Sequence, residues 1–316
     1  MYDILMPAVI AILSIIVIMK SAEYAIVAIA DYAKKTGLSE YFIGFLIVSI
    51  GTSLPELSTA FFASLSGQGG LILGNVLGAN IIDACVVLGL TAIVGGHIKV
   101  KGKFMSKNLI ALFIIVLIPL FLGLDGDLSR FDGILLISSF LAYVLILILR
   151  EGKIGHIKKN VKWKNIWKDM FIFLGCLVAL LLSARWLVIS SVLISKELGI
   201  SVYIVGLIFV ALGTTVPELT VEIKSVMKGL SGLAFGDVLG SVIVNTSLVL
   251  GLAALLNPIT LDMGSFFIGS LFMISAVMIA ISFMRRKEIN WKEGIFLAAF
   301  YLFYLAIIIS ETILVG

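Results

Sequence analysis

Apolar residues form long runs along the chain, and short polar stretches separate one run from the next. A helix needs roughly 20 mostly apolar residues to cross a bilayer core about 30 Å thick, and each run provides about that many. We therefore expect ten transmembrane helices, of which the first and the sixth are long enough to tilt. They lie at about residues 4–33, 41–65, 70–95, 105–124, 132–150, 166–195, 203–228, 232–256, 265–284 and 291–313.

The composition indicates the same class of protein. Of the 316 residues, 61% are hydrophobic and 13% are charged, whereas an average soluble domain has roughly 45–50% and about 25%. This balance excludes soluble enzymes, nucleic-acid-binding proteins and disordered scaffolds. We expect an all-α polytopic membrane protein in a lipid bilayer, with neither a nucleic-acid partner nor a cofactor. The first apolar run has no basic segment before it, so we do not expect a cleavable signal peptide.

The basic residues predict how the helices are oriented. Of the 23 Lys and Arg residues, 19 lie in the loops after predicted helices 1, 3, 5, 7 and 9, and two lie in the loops after helices 2, 4, 6 and 8. Cytoplasmic loops are enriched in Lys and Arg. We therefore expect both termini on the outer side of the cell membrane and the basic segment 151–165 in the cytoplasm. This segment sets the topology or, alternatively, binds anionic lipid headgroups. It separates two five-helix halves, 1–150 and 166–316.

The two halves contain an internal repeat. Residues 38–90 align without gaps on residues 200–252 at a constant offset of 162, and 21 of the 53 positions are identical. Because each half has an odd number of helices, the second copy enters the membrane from the opposite side. We therefore predict two inverted five-helix repeats, a common construction of secondary transporters. The matching motifs are G-T-S-L-P-E-L at 51–57 with G-T-T-V-P-E-L at 213–219, and G-N-V-L-G at 74–78 with G-D-V-L-G at 236–240.

Both motifs predict an interruption of their helix. Pro55 and Pro217 cannot donate a backbone hydrogen bond, which frees carbonyl groups near Thr52 and Thr214. Transporters of this construction place their ion sites near the midplane, on helices that are interrupted at corresponding positions. We also expect the glycine pairs of the second motif to soften the next helix in each half.

Two acidic residues are predicted near the middle of the membrane. Glu56 and Glu218 lie about midway along predicted helices 2 and 7, at matching positions of the repeat. An ionisable group at that depth costs several kcal/mol unless it is paired or hydrated, so it is a functional candidate by default. The basic residues assigned inside predicted helices are Lys20 and Arg185, which lie in the outer half or the middle of their helices and are the remaining candidates for a comparable depth. We interpret the glutamates as a cation site, with a structural hydrogen-bonding role as the alternative.

Oxygen-bearing side chains accompany the two glutamates. Hydroxyl groups one turn earlier share the face of the carboxylate, and predicted helices 3 and 8 add further polar groups. Such a set suits hard cations such as Ca²⁺ or Na⁺, whereas carriers of Zn²⁺ or Cu⁺ are expected to use Cys, His or Met. Two carboxylates neutralise one Ca²⁺ or two Na⁺, so the two ions would exclude each other, and alternating access would then produce exchange. The predicted ligands are Thr52, Ser53, Glu56, Asn80, Asp83, Thr214, Thr215, Glu218, Ser241 and Asn245.

The motifs resemble those of the cation/Ca²⁺ exchanger superfamily, specifically its prokaryotic Na⁺/Ca²⁺ exchangers. Both repeats of that family look like G-[TS]-[ST]-x-P-E followed by G-[ND]-x-x-G-[SA]. The resemblance implies that Glu56 and Glu218 bind Ca²⁺ together with the backbone carbonyls of Thr52 and Thr214. It also implies that predicted helices 1 and 6 slide over the rest of the protein to alternate access. The implied Na⁺ ligands, besides the glutamates, are Ser53, Thr215 and Ser241.

Two features depart from the archaeal pattern of that family. Ala79 stands where a serine is usual, and Asp83 and Asn245 are exchanged relative to the usual order. The missing hydroxyl and the additional acid keep a second function open, the exchange of Ca²⁺ for protons or for another monovalent cation.

Two other acids have open interpretations. Glu222 lies one turn beyond Glu218 and is matched by Ala60 in the first repeat, so we expect a residue of an inner vestibule or a partner of Lys224, with a role as a cation ligand as the alternative. Asp237 begins predicted helix 8, where a role in ion entry and a role at the helix N-terminus are both open.

Other classes of membrane protein fit less well. A cation channel typically uses rings of side chains from symmetric subunits, and the chain instead has one inverted repeat. An intramembrane enzyme would need a nucleophile–base pair or a metal motif, and the sequence has neither. We therefore expect a transporter, not an enzyme, and leave its oligomeric state open, a monomer included.

Overall fold

The computed structural model describes residues 2–34, 48–99, 103–151, 163–286 and 288–315. These residues are almost entirely helical. The helices are α1 Tyr2–Lys34, α2 Ser49–Thr52, α3 Leu54–Leu65, α4 Gly69–Ile82, α5 Leu88–Gly95, α6 Lys103–Leu122, α7 Arg130–Glu151, α8 Trp163–Leu198, α9 Val202–Val205, α10 Ala211–Thr214, α11 Val216–Met227, α12 Ser231–Ile243, α13 Leu250–Leu256, α14 Met263–Arg285 and α15 Trp291–Val315. Three π-helical segments, a 3₁₀ turn and four strands complete the described part: π1 Asp83–Val87, π2 Gly206–Val210, π3 Val244–Val249, Gly123–Asp125, β1 His97–Lys99, β2 Asp127–Leu128, β3 Ile259–Thr260 and β4 Glu288–Asn290.

Eight helical stretches of the described residues are long and apolar enough to cross a membrane. Each coincides with a predicted helix, and a shorter apolar helix, Leu109–Asp125, overlaps predicted helix 4. The predicted second helix, 41–65, begins outside the described residues and continues as α2 and α3, so the number ten stays a prediction. The eight stretches are Ile4–Ser21, Gly69–Gly95, Arg130–Leu149, Leu174–Leu198, Val202–Met227, Ser231–Leu256, Met263–Arg285 and Trp291–Ser310.

Both proline motifs interrupt their helices, as the sequence predicts. Ser53 has φ −79° and ψ 5°, and Thr215 has φ −82° and ψ 0°. These ψ values lie outside the α-helical range, so α2 ends before α3 begins and α10 ends before α11 begins. Pro55 and Pro217 lie in the first turn of the following helix, where a backbone N–H has no helical partner. The repeat therefore places the same break in both halves.

The glycine pairs of the second motif do not interrupt their helices, and the softening expected there stays a prediction. Helix α4 is continuous through Gly74 and Gly78, and α12 is continuous through Gly236 and Gly240. In α4 the glycines instead permit a close helix crossing, because a Cβ atom on Gly78 would lie 2.5 Å from the carbonyl oxygen of Leu207. The helix that is locally altered is the next segment, where π1 and π3 follow α4 and α12.

Two further helix crossings involve glycines that are related by the offset of 162. A Cβ on Gly89 would lie 2.9 Å from the carbonyl oxygen of Gly294, and a Cβ on Gly251 would lie 3.0 Å from the carbonyl oxygen of Gly133. Gly89 and Gly251 are 162 residues apart, so equivalent helices of the two halves cross their neighbours in the same way. Small residues at such crossings let helix backbones approach closely in membranes.

The short strands pair across the halves. Strand β1 is antiparallel to β4, with Ile98 opposite Ile289, and β2 is antiparallel to β3, with Leu128 opposite Ile259. Strands β1 and β4 lie in the loops after predicted helices 3 and 9, and β2 and β3 lie in the loops after helices 4 and 8. Each pair thus joins loops that the distribution of basic residues predicts on the same side of the membrane.

Two regions of the fold differ in their surroundings. The inner crossing, which we define as residues 49–95 and 202–256, contains most of the buried polar side chains. The outer pair, α1 and α8, packs lengthwise together against it. A groove of about 320 Å³ runs between the outer helices and is lined by Ser14, Ser183 and Trp186, among others.

Candidate cation site

All ten predicted ligands lie in the inner crossing and are buried, none of them more than 2% exposed. They come from helices α2 to α4 and π1 of the first half and from α10 to α12 and π3 of the second. The fold therefore gathers residues that are far apart in sequence into one buried polar region.

The two glutamates occupy equivalent places in this region. Glu56 and Glu218 lie in the first turns of α3 and α11, where the positive end of the helix dipole favours a negative charge. No oxygen of either carboxylate makes a well-formed hydrogen bond among the described residues, although the Thr214 side chain lies near enough to Glu56 to interact with it. The carboxylates are close enough to interact electrostatically with each other, and Asp83 interacts with both. Two neighbouring buried carboxylates with no buried Lys or Arg among the described residues are the expected form of a site that a cation completes.

The threonines of the first motif make hydrogen bonds across the repeat. The Thr52 hydroxyl donates to Oδ1 of Asp237 at 3.2 Å and lies 3.3 Å from Oγ of Ser241. The Thr214 hydroxyl donates to Oδ1 of Asn75 at 3.3 Å. Asn75 and Asp237 are mates at the offset of 162, so each half reaches into the other by the same contact.

The remaining amides and acid lie at the altered helix segments. Asp83 is the first residue of π1, and Asn245 lies in π3 at the matching position. Both polar atoms of each side chain lack a hydrogen-bond partner in the described part of the chain. The Asn80 side-chain nitrogen donates to the Thr246 hydroxyl at 2.9 Å, and its oxygen has no such partner. Single-turn π-helices occur frequently at functional sites.

The two hydroxyls that follow the motif threonines differ from each other. Oγ of Ser53 has no hydrogen-bond partner among the described residues. The Thr215 hydroxyl donates to the carbonyl oxygen of Ala211 at 2.8 Å and so keeps lone pairs for a cation.

The charges of this region are uniformly negative in the described residues. Five acids are fully or almost fully buried, and none of the described buried side chains is Lys or Arg. Lys20 and Arg185 are exposed. No three Asp, Glu, His or Cys side chains of the described residues form a group that could hold a metal ion by themselves. A cation here would therefore use two carboxylates together with hydroxyl, amide and carbonyl oxygens. The buried acids are Glu56, Asp83, Glu218, Glu222 and Asp237.

Several residues beside the site are more deeply buried than the sequence predicts, and they make hydrogen bonds that it does not predict. Asp237 is fully buried and bonded to Thr52, and Glu222 is fully buried and accepts a hydrogen bond from Thr91 at 3.3 Å. Asn75 was not singled out, although it occupies the second position of a repeated motif. The repeat itself was the available signal for the pair Asn75 and Asp237, because matched polar residues inside a predicted membrane helix are expected to have a shared role.

Comparison with known proteins shows which family the chain is similar to. The family model described as sodium/calcium exchanger protein matches residues 6–149 and residues 168–310. The sodium/calcium exchanger MaX1 of Methanosarcina acetivorans is 29% identical, over 95% of this chain and 97% of the relative. The inner membrane protein YrbG of Escherichia coli is 28% identical, over 94% of this chain and 95% of the relative.

A solved structure supports the fold. The sodium–calcium exchanger NCX_Mj, soaked with Na⁺ and Sr²⁺, superimposes with a TM-score of 0.73 at 26% identity, over 96% of this chain and 99% of that one. The fold and the two matched segments agree with the resemblance of the motifs and support a role in transport. The chain belongs to the sodium/calcium exchanger protein family.

Proposed function

We propose that this protein is an antiporter that exchanges Ca²⁺ for Na⁺ by alternating access, and that both ions use one carboxylate site near the middle of the bilayer. The observation that carries the proposal is the pair Glu56 and Glu218. The two carboxylates are buried, occupy matching positions after matching helix breaks, and have four oxygens without a well-formed hydrogen bond among the described residues. Buried carboxylates of this kind need a counter-charge or a proton, and Ca²⁺ or Na⁺ supplies the counter-charge.

The names of the relatives agree with this choice of ions. MaX1 is a sodium/calcium exchanger, and NCX_Mj was soaked with Na⁺ and Sr²⁺, a divalent ion of the same group as Ca²⁺. Because Ca²⁺ takes 6–8 oxygen ligands, two carboxylates require several neutral oxygens beside them. The carbonyls and hydroxyls of Thr52 and Thr214 and the side chains of Asn80, Asp83 and Asn245 would supply these, while Ser53, Thr215 and Ser241 favour Na⁺.

The architecture that we propose has ten transmembrane helices in two inverted halves, 1–150 and 166–316, joined by the cytoplasmic segment 151–165. The matching helix breaks, π-helices, glycine crossings and strand pairs at the offset of 162 support it. The distribution of Lys and Arg supports termini outside the cell. With Na⁺ flowing inward down its usual gradient, this transporter would export Ca²⁺.

Alternating access would require a part of the protein that moves past the site. We assign this movement to α1 and α8, which lie together outside the inner crossing and have much of their apolar surface exposed. Exclusive occupancy by Ca²⁺ or Na⁺ then couples the two fluxes, because an empty site would carry uncompensated carboxylates through the membrane.

Transport by purified protein in proteoliposomes tests the function. An outward Na⁺ gradient should drive uptake of radioactive Ca²⁺, and dissipation of the gradient should stop it. Uptake that needs no counter-ion would indicate a channel and would contradict the proposal.

The alternative function is exchange of Ca²⁺ for protons or another monovalent cation. Ala79 removes a hydroxyl from the expected Na⁺ ligands, and Asp83 adds a fully buried acid beside the glutamates. Under this alternative, an imposed pH gradient drives Ca²⁺ uptake without Na⁺, and a Na⁺ gradient at equal pH does not.

A further inference from the structure

The polar groups around the central glutamates are not symmetric. Glu222, Asp237 and Thr91 have neutral or apolar mates at the offset of 162, whereas Glu56 and Glu218 match each other. One side of the central pair therefore carries additional acids and a hydroxyl that the other side lacks. The mates of the three residues are Ala60, Asn75 and Ala253, respectively.

Glu222 is the residue that most clearly breaks the symmetry. Its side chain is fully buried, Oε2 accepts a hydrogen bond from the Thr91 hydroxyl at 3.3 Å, and Oε1 has no hydrogen-bond partner among the described residues. The carboxylate is near enough to Asp237 and Asp83 to interact with them electrostatically. Oδ2 of Asp237 is likewise buried without a partner in the described residues.

These groups lie between the central glutamates and one end of the molecule. Glu222 is one helical turn beyond Glu218 in α11, and Thr91 lies in α5, which packs against α11. A Cβ on Gly95 would lie 2.6 Å from the side chain of Val226, so the two helices remain in contact beyond this point. The cluster is thus enclosed, and it is not an exposed acidic rim.

We propose that Glu222 and Thr91 form a second cation subsite that takes a monovalent metal cation of the Na⁺ type. This inference rests on the proposed exchange function and deepens it. It gives the transporter a Na⁺ ligand set on one side of the shared site that the opposite side does not have.

The ligand chemistry determines the class of ion. Glu222 and Thr91 offer one carboxylate and one hydroxyl, and the described residues contain no group of three acidic side chains that could hold a metal ion. Ca²⁺ requires more oxygen ligands and a second charge. A proton would make the carboxyl a donor to the Thr91 hydroxyl, and Oε1 would still have no partner among the described residues. A singly charged metal ion with one carboxylate ligand fits these groups best.

Na⁺ binding to the purified full-length protein tests the subsite. We compare the wild type with Glu222→Gln, which keeps the size of the side chain, and with Thr91→Val, which removes the hydroxyl. Glu197→Gln, an exposed acid of α8, is the matched control. Radioactive Na⁺ bound per chain is measured at equilibrium, and the Na⁺ concentration for half-maximal Ca²⁺ exchange is measured in proteoliposomes.

We expect Glu222→Gln to bind one Na⁺ fewer per chain and to raise the half-maximal Na⁺ concentration about tenfold, the effect of losing one charge-assisted contact. Thr91→Val should raise that concentration less, and Glu197→Gln should leave both quantities unchanged. If Glu222→Gln does not fold, Glu222→Asp, which retains the charge on a shorter side chain, should still bind the additional Na⁺ more weakly.

Equal Na⁺ binding and equal Na⁺ dependence in the wild type and the Glu222 variants would overturn the subsite. A change that follows pH and not Na⁺ would overturn it as well. In both cases a wild type that still exchanges Ca²⁺ for Na⁺ leaves the proposed function standing, whereas a wild type without such exchange refutes that function directly.

Discussion

The inner crossing and the outer pair are both apolar and helical, yet their helices are held in place differently. In an 18-residue segment of each of the stretches Gly69–Gly95 and Ser231–Leu256 of the inner crossing, 83% of the residues are buried, against 28% in Ile4–Ser21 and 33% in an 18-residue segment of Leu174–Leu198 of the outer pair. Lipid solvates apolar side chains as well as other helices do, so specific position in a membrane comes from close packing and hydrogen bonds. The inner crossing has both, and it therefore fixes the geometry of the site.

The largest expected effect is the loss of transport on removing a central carboxylate. Glu56→Gln and Glu218→Gln each remove the charge that a cation would balance, and we expect Na⁺-driven Ca²⁺ uptake to fall at least about a hundredfold, the equivalent of a few kcal/mol. The matched change in the outer pair, Glu197→Gln, should retain full uptake. Normal gel-filtration behaviour of the variants is the control for folding, and uptake that persists in either Glu variant would refute the assigned role.

A glycine in each region provides the next comparison. Gly78→Ala places a Cβ against the backbone of Leu207, and we expect a loss of about 1–3 kcal/mol in unfolding free energy. Gly175 of α8 has nothing within 4 Å of a Cβ, so Gly175→Ala should be neutral or slightly stabilising through helix propensity. Thermal unfolding in detergent measures both. Equal destabilisation by the two substitutions would contradict the distinction between the regions.

The hydrogen bonds across the repeat should have smaller effects on stability. Thr214→Val removes the bond to Asn75, and we expect a cost of about 0.5–1.5 kcal/mol. Ser183→Ala, in the groove of the outer pair, is the comparison and should cost less. A double-mutant cycle of Thr214→Val with Asn75→Ala measures the coupling, and additive effects would show that the contact contributes nothing.

Ala79→Ser adds a hydroxyl at position 79, whose mate in the second half is Ser241. If Na⁺ uses that position, the half-maximal Na⁺ concentration for Ca²⁺ exchange should fall by roughly threefold, less than the effect of a full hydrogen bond to a charged group. Ala84→Ser, on the neighbouring π1 segment, is the control. An unchanged Na⁺ response would remove this position from the set of Na⁺ ligands.

The smallest effect is expected at the periphery. Nε2 of His97 and Oε2 of Glu288 lie 3.0 Å apart between β1 and β4, and both side chains are more than half exposed. An exposed ion pair contributes little, so Glu288→Gln should change the unfolding free energy by less than about 0.5 kcal/mol and leave uptake unchanged. A large loss of transport would assign this strand pair a role that its exposure does not indicate.

Many features of the inner crossing could be predicted because the repeat contains each of them twice, once in each half. The breaks at Pro55 and Pro217 follow from the missing N–H, and the burial of Glu56 and Glu218 follows from their place in apolar runs. The role of Gly78 could not be predicted in this way, because a glycine that permits a helix contact and one that weakens a helix look identical in sequence.

The hydrogen-bond partners of individual side chains also could not be predicted from the sequence. Whether Asp237 lies at an entrance or against Thr52 depends on how α12 rotates relative to α2, and the apolar pattern of a helix buried on all sides does not fix its rotation. For the same reason Glu222 was placed in a vestibule, although it is buried against Thr91. The π-helices at Asp83 and Asn245 were not predicted, because no pattern of apolar and polar positions in the sequence marks them.

The central claim is most directly tested by a crystal structure of the protein soaked in Sr²⁺ or Ca²⁺ and then in Na⁺. The account predicts one divalent ion between Glu56 and Glu218, with oxygens at about 2.3–2.6 Å from Ca²⁺, and its displacement by Na⁺. A divalent ion bound elsewhere, or carboxylates that stay apart with no ion between them at saturating concentration, would contradict the account.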